Sequence, residues 1–226
     1  MKLGIKHALA LAAVAACTAA SAGVVTFEGL DPSIYGGGDA FSSGGASLTV
    51  LGSGFNGAIV NGSDVNTCTT AACPTGNGSN YFAGLNDGGL NVAGGGGITL
   101  RSLDFGFIAP LPVPGLTGFG RLVLEGIFAD GSVYNVSEEF SGADASGNFG
   151  FSHWNVGAGF GNNRFASVNV FACLYTTSGS CVNPAGNQAQ FAVDNLDYVI
   201  PEPGSLALVG LSLAGLAAVR RRRQSV

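Results

Sequence analysis

The apolar positions between residues 24 and 200 fall into short runs of β-branched and aromatic residues, without the three-to-four spacing of an amphipathic helix. In FASVNVFACLY, from Phe165, the residues Ala166, Val168, Val170, Ala172 and Leu174 share one face, the signature of a strand covered on one side. Further strands are predicted at VVTFEGL from Val24, ASLTVL from Ala46, ITLRSLDFGFI from Ile98, FGFSHWNV from Phe149 and QFAVDNLDYVI from Gln190. RLVLEGIFADGSVYNVSEEF, from Arg121, reads as two strands reversed at Asp130-Gly131. Glycine runs at 36–38, 44–45 and 94–97 penalise helix and mark turns and loops. Residues 56 to 97 are the least regular and read as long loops over a sheet edge, with a short strand at Asn80-Tyr81-Phe82-Ala83. The sum is an all-β chain, an antiparallel β-sandwich or jelly roll. No repeat of 20–50 residues is present, which argues against a solenoid or propeller.

The ends do not share this pattern. Lys2 and Lys6 precede an apolar stretch from Ala8 to Ala16, and Ala20-Ser21-Ala22 then supplies small residues for cleavage before Gly23. This is the layout of a secretory signal peptide over residues 1–22. Val14-Ala15-Ala16-Cys17 offers a second export reading, a lipoprotein box with Cys17 lipidated. Against it, β-like sequence begins almost at once after the site, without a polar tether. A secreted β-sandwich domain is expected over residues 23–199.

Charge narrows the partners. Of 14 acids only Glu202 lies outside residues 23–200, whereas of nine lysines and arginines only Arg101, Arg121 and Arg164 lie inside, a net of −10 for the body. Such a surface repels phosphate backbones, so nucleic-acid binding is not expected. Cys68, Cys73, Cys173 and Cys181 remain after cleavage at Ala22, and four cysteines permit three pairings. The short spacings favour local bridges in an oxidising compartment. A zinc site is disfavoured, because there is no CxxC and His153 is the single histidine left.

The chain closes with Pro201-Glu202-Pro203, an uncharged apolar run from Gly204 to Val219 and the cluster Arg220-Arg221-Arg222-Arg223. As a helix the run reaches about 24 Å, short of the ~30 Å hydrocarbon core. The arginines hold that end in the cytoplasm, and the prolines keep the other flank out of the helix. A single transmembrane helix at 204–219 is therefore expected. In order and position these parts resemble the PEP-CTERM sorting signal of Gram-negative bacteria, over residues 200–226. The resemblance implies passage through the inner membrane and recognition by an exosortase, a membrane-embedded transpeptidase-like enzyme that cuts at or near the Pro-Glu-Pro. Pro201, Glu202 and Pro203 would be the recognition element and Arg220 to Arg223 the stop-transfer element. Release to the cell surface or the medium follows.

The body offers little chemistry. A serine hydrolase would need His153, and no GxSxG accompanies it. Glu138 and Glu139 are adjacent, so on a strand they face opposite ways and cannot form a glycosidase pair. Phe27-Glu28 and Phe191-Ala192-Val193-Asp194-Asn195 resemble the terminal strands of the sandwich bodies common among PEP-CTERM proteins and, loosely, of carbohydrate-binding jelly rolls. That resemblance implies a structural Ca²⁺ held by Glu28 and Asp194. Asp144-Ala145-Ser146-Gly147-Asn148 looks like a fragment of a calcium loop, and Trp154 and Tyr81 are the aromatics to consider for stacking on a glycan. The expectation is a structural or adhesive surface or matrix protein contacting exopolysaccharide, not an enzyme. The alternative is a secreted hydrolase of matrix polysaccharide.

Overall fold

The computed structural model describes residues 20–64, 71–110, 119–175, 180–182, 189–201 and 215. Fifteen strands and one helical turn follow one another as β1 (Ala20–Val25), β2 (Ser33–Gly36), β3 (Ala40–Ser43), β4 (Ala46–Leu51), β5 (Phe55–Asn61), β6 (Ala71–Ala72), β7 (Asn80–Gly84), β8 (Gly89–Phe107), β9 (Ala109–Pro110), β10 (Gly120–Ile127), β11 (Val133–Glu139), β12 (Ser152–Asn155), α1 (Gly157–Gly161), β13 (Phe165–Tyr175), β14 (Cys181–Val182) and β15 (Phe191–Pro201). All pairs between these strands, among the described residues, are antiparallel. The all-β expectation is met.

Strand β8 organises the architecture. Its first part, Gly89–Ala93, lies between β4 and β13; its last part, Thr99–Phe107, lies beside β15, with β12 on its other side at Ser102–Phe105. One layer thus runs β11-β10-β13-β8-β4-β3, and the other β12-β8-β15-β7-β5-β2, with β1 following β7 along the same side of β15. The bend between the two parts falls in the glycine run 94–97. Here a Cβ on Gly94 would press 2.8 Å from the Ile200 side chain, and Gly97 takes φ +94°. The run expected to be a loop is a corner within a continuous strand, the device by which a strand changes sheets. The region read as loops likewise contains β5, β6 and the start of β8, and the short strand expected at Asn80–Ala83 is β7.

The layers enclose one core. Leu48, Leu90, Leu122, Val168 and Val170 from the first meet Phe82, Leu100, Phe105, Phe191 and Tyr198 from the second. Strand β10 shows the alternation plainly, with Leu122 and Leu124 buried and Arg121, Val123 and Glu125 turned outward. In β13 the predicted face holds for Val168, Val170 and Ala172, but a register shift between Phe165 and Ser167 turns Phe165 inward and leaves Ala166 exposed. The Asp130-Gly131 reversal is present: Gly131 has φ +83°, and the Asp130 carboxylate accepts from the Ser132 amide at 2.9 Å and hydroxyl at 2.6 Å.

A smaller apolar cluster lies behind the second layer, where Ala58, Tyr81, Ala83, Ile108 and Ala192 are covered on the outer face. Tyr81 packs edge-on against Phe151, with ring centroids 5.4 Å apart. Beside it is a cavity of about 420 Å³ lined by Ile34, Ala58, Val60, Tyr81 and Ile108 among others. Cys173 and Cys181 form a disulfide with Cα atoms 5.4 Å apart, joining β13 to β14. Cys73 is also disulfide-bonded, while Cys68 lies outside the described residues. Of the expected transmembrane segment only Gly215 is described, and it is helical. No helix among the described residues is long and apolar enough to cross a membrane.

Candidate functional site

Each layer carries a transverse row of polar side chains on its outer face. In the second layer the cross-strand register aligns His153, Asp104 and Asp194 across β12, β8 and β15. Two carboxylates directly opposite one another on neighbouring strands repel, and the neighbouring side chains offset this. His153 Nδ1 lies 2.7 Å from Asp104 Oδ1, and Asn195 Nδ2 donates to Asp104 Oδ2 at 2.8 Å. Asn195 reaches it because the pairing of β15 with β8 is interrupted after Asp194, and Asn195 adopts φ +49°. Asparagine tolerates that left-handed backbone better than most residues.

Asp194 is 1% exposed. Its Oδ2 accepts from Asn77 Nδ2 at 2.8 Å and Ser79 Oγ at 3.1 Å, and its Oδ1 from the Asn195 amide at 2.8 Å. Glu28 reaches the same segment by a different route, accepting from the Asn80 amide at 3.0 Å. The turn after β1 is fastened there by Asn80 Nδ2, which donates to the Leu30 carbonyl at 3.0 Å. Burial raises the Asp194 pKa above the ordinary aspartate value of 3.8, with the nearby Glu28 charge adding to the rise and the Asn77, Asn195 and Ser79 hydrogen bonds opposing it. The structure therefore brings the two acids singled out in the sequence to one segment, residues 77–80. That segment was missed, although its Asn-Gly-Ser-Asn composition is rich in oxygen donors. Among the described residues no three His, Cys, Asp or Glu side chains converge as a metal cluster.

The first layer carries a longer row. Thr49, Asn91, Asn169, Glu125 and Asn135 are in register across β4, β8, β13, β10 and β11. Asn91 Nδ2 donates to Asn169 Oδ1 at 2.6 Å, and Asn169 Nδ2 donates to Glu125 Oε1 at 2.9 Å. These bonds hold the amides in one orientation. Alongside runs an open groove of about 450 Å³, lined by Arg121, Val123, Asn135, Ser137 and Phe171. Arg121 is fixed over the Tyr175 ring at 5.1 Å and donates to its hydroxyl, which in turn donates to Glu139 at 2.8 Å.

Other sequence candidates fall elsewhere. Trp154 is 7% exposed and Tyr81 fully buried, so neither presents a ring for stacking; among the described residues the exposed aromatics are Phe55 and Tyr134. Asp144 Oδ1 is occupied by the amides of Ser146 and Asn148, at 2.8 and 2.9 Å, which closes its own turn and lowers its pKa. Ser152 neighbours His153 along β12 and so points to the other face, bonding to Ser141 at 2.5 Å. Ala20, Ala22 and Gly23 lie in β1, and Pro201 ends β15. Cys17, Glu202, Pro203 and Arg220 to Arg223 lie outside the described residues.

The fold and chain end together define an all-β protein carrying an export-linked sorting tail. A PEP-CTERM protein-sorting motif matches residues 199–223, and it implies an exported protein that an exosortase processes at the membrane of a Gram-negative bacterium. No curated protein matches the chain. The body is similar in fold to the crystal structure of a DUF4465 family protein from Bacteroides caccae ATCC 43185, with TM-score 0.52 and 12% identity over 80% of this chain and 100% of that one.

Proposed function

We propose that the chain is a structural or adhesive component of the cell surface or extracellular matrix, and that its body contacts exopolysaccharide through the outer face of the first layer. The observation that carries this reading is the row Thr49–Asn91–Asn169–Glu125–Asn135, whose three central side chains, Asn91, Asn169 and Glu125, are oriented by their own hydrogen bonds. Sugar hydroxyls both donate and accept, and a row of amides with one hydroxyl and one carboxylate offers both functions across five strands. Phe171, in the adjoining groove, supplies an apolar face for a ring.

Pull-down on matrix polysaccharide tests it. Binding should fall at least tenfold in Phe171→Ala and in Asn135→Ala, with no reducing ends released. Turnover lost on one carboxylate substitution would favour the hydrolase alternative.

Calcium belongs to the same proposal as a structural ion. Glu28, Asp194, the Asn77 amide oxygen and the Ser79 hydroxyl are all hard oxygen donors, as Ca²⁺ prefers. The ion would relieve the buried Asp194 charge and tie the turn after β1 to β15. A rise in Tm on adding Ca²⁺, absent in Glu28→Gln, supports it; an unchanged Tm refutes it.

A further inference from the structure

Strand β1 pairs with the end of β15 in a register that matters for processing: Ala20↔Pro201, Ser21↔Ile200, Ala22↔Val199, Gly23↔Tyr198, Val24↔Asp197 and Val25↔Leu196. The expected signal cut, between Ala22 and Gly23, divides this strand in two. The retained half is anchored. Val25 and Phe27 are fully buried, and the Tyr198 ring lies so close over Gly23 that a Cβ there would sit 2.6 Å from its hydroxyl oxygen. That hydroxyl donates to the Gly44 carbonyl. The departing half, Ala20–Ala22, covers residues 199–201 and nothing else in the strand pairing. Those three residues are where the matched sorting motif begins. On its other side β15 is paired with β8 as far as Val199↔Thr99, so Ile200 and Pro201 are held in strand pairing by β1 alone.

We propose that removal of Ala20–Ala22 is the step that opens the sorting signal, so that signal cleavage must precede exosortase cleavage. This rests on the export and sorting reading above. Hydrolysis of the Ala22–Gly23 peptide bond consumes one water and leaves a carboxylate on the departing peptide and an ammonium on Gly23. It also strips the β1-side backbone partners from Val199, Ile200 and Pro201. An edge with unpaired N–H and C=O groups is what a protease binding its substrate as an added strand requires. Until then the folded precursor already fills that edge with its own leader. Chain order supports the sequence of events: residues 20–22 are exported well before residues 199–201, so the first cleavage site meets its peptidase ahead of the second. A chain that escapes the first cut withholds its tail from the second.

The test compares three full-length chains in exosortase-competent cells, read by intact mass. In Ala20→Leu/Ala22→Leu the bulky residues block signal cleavage but keep the strand. In Ala20→Pro/Ser21→Pro/Ala22→Leu cleavage is blocked equally, and the prolines abolish pairing. The expected result is loss of mass near residue 201 in the native chain, at least a tenfold lower processed fraction in the leucine variant, and recovery in the proline variant. Tenfold corresponds to opening about two net backbone hydrogen bonds. Native-like C-terminal processing of the leucine variant overturns the proposal, as does failure of both variants, which would place the effect in membrane tethering. A native chain that keeps its tail, or whose N-terminus is not Gly23, overturns the reading beneath the proposal, and the proposal falls with it.

Discussion

Replacing Tyr81 by phenylalanine should make this protein more stable. The Tyr81 hydroxyl is buried without a hydrogen-bond partner, and the residue has no exposed surface. Burial alone pushes its pKa well above the ordinary tyrosine value of 10.0. Leaving such a group unsatisfied costs about 1–3 kcal/mol, whereas the ring's own packing survives the change. The edge-on contact with Phe151 at 5.4 Å involves the ring and not the oxygen. Against the gain stands a small loss of dispersion contacts where the oxygen was. The net expectation is stabilisation by about 1 kcal/mol, or a rise in Tm of about 2–4 °C for a body of this size. Equilibrium unfolding in urea is the assay, with the midpoint moving and the slope unchanged. Destabilisation by about 1 kcal/mol or more would refute the reasoning, because it would mean that the hydroxyl is satisfied, most simply by water in the adjoining cavity.

Three further outcomes follow from other parts of the fold. Because Asp194 binds its proton more tightly folded than unfolded, its contribution to stability is complete below pH 3.8 and is lost as pH rises through its raised folded pKa; in chelator, Asp194→Asn should flatten that part of the stability–pH curve. Gly126→Ala would place a Cβ 2.4 Å from the Phe165 ring, itself packed on Phe160 at 4.5 Å and Phe128 at 4.8 Å, and should cost about 1–3 kcal/mol by urea unfolding. Cys173→Ser opens a bridge spanning eight residues and should cost about 2–3 kcal/mol, a penalty that reducing agent removes from the comparison.

The sequence made the strands legible wherever one face is covered and the other wet, as in β10 and β13. It misled where that rule breaks. In β5 both faces are buried, with Ile59 toward the main core and Ala58 toward the second cluster, so no alternation marks it. The glycines at 94–97 carry a turn's composition, but their neighbours in space, Ile200 and Arg164, require small residues in a bending strand. Glu28 and Asp194 were found through local resemblance, whereas Asn77 and Ser79 were not, since their contact with Asp194 crosses more than 110 positions. The amide row was equally hidden. Its members are 34 or more residues apart except Glu125 and Asn135, and only the register of five strands aligns them.

Strand β8 has one more consequence, which concerns how the body comes apart. Because a single unbroken strand is hydrogen-bonded in both layers, neither layer can melt without freeing backbone that continues directly into the other. Losing β4 and β13 frees the half of β8 before the corner and strips support from Ile98 and Leu100, which sit in the shared core. Two stacked sheets joined only by side chains could fray one at a time. Here the backbone itself couples them, an arrangement that favours unfolding of the body as one cooperative unit.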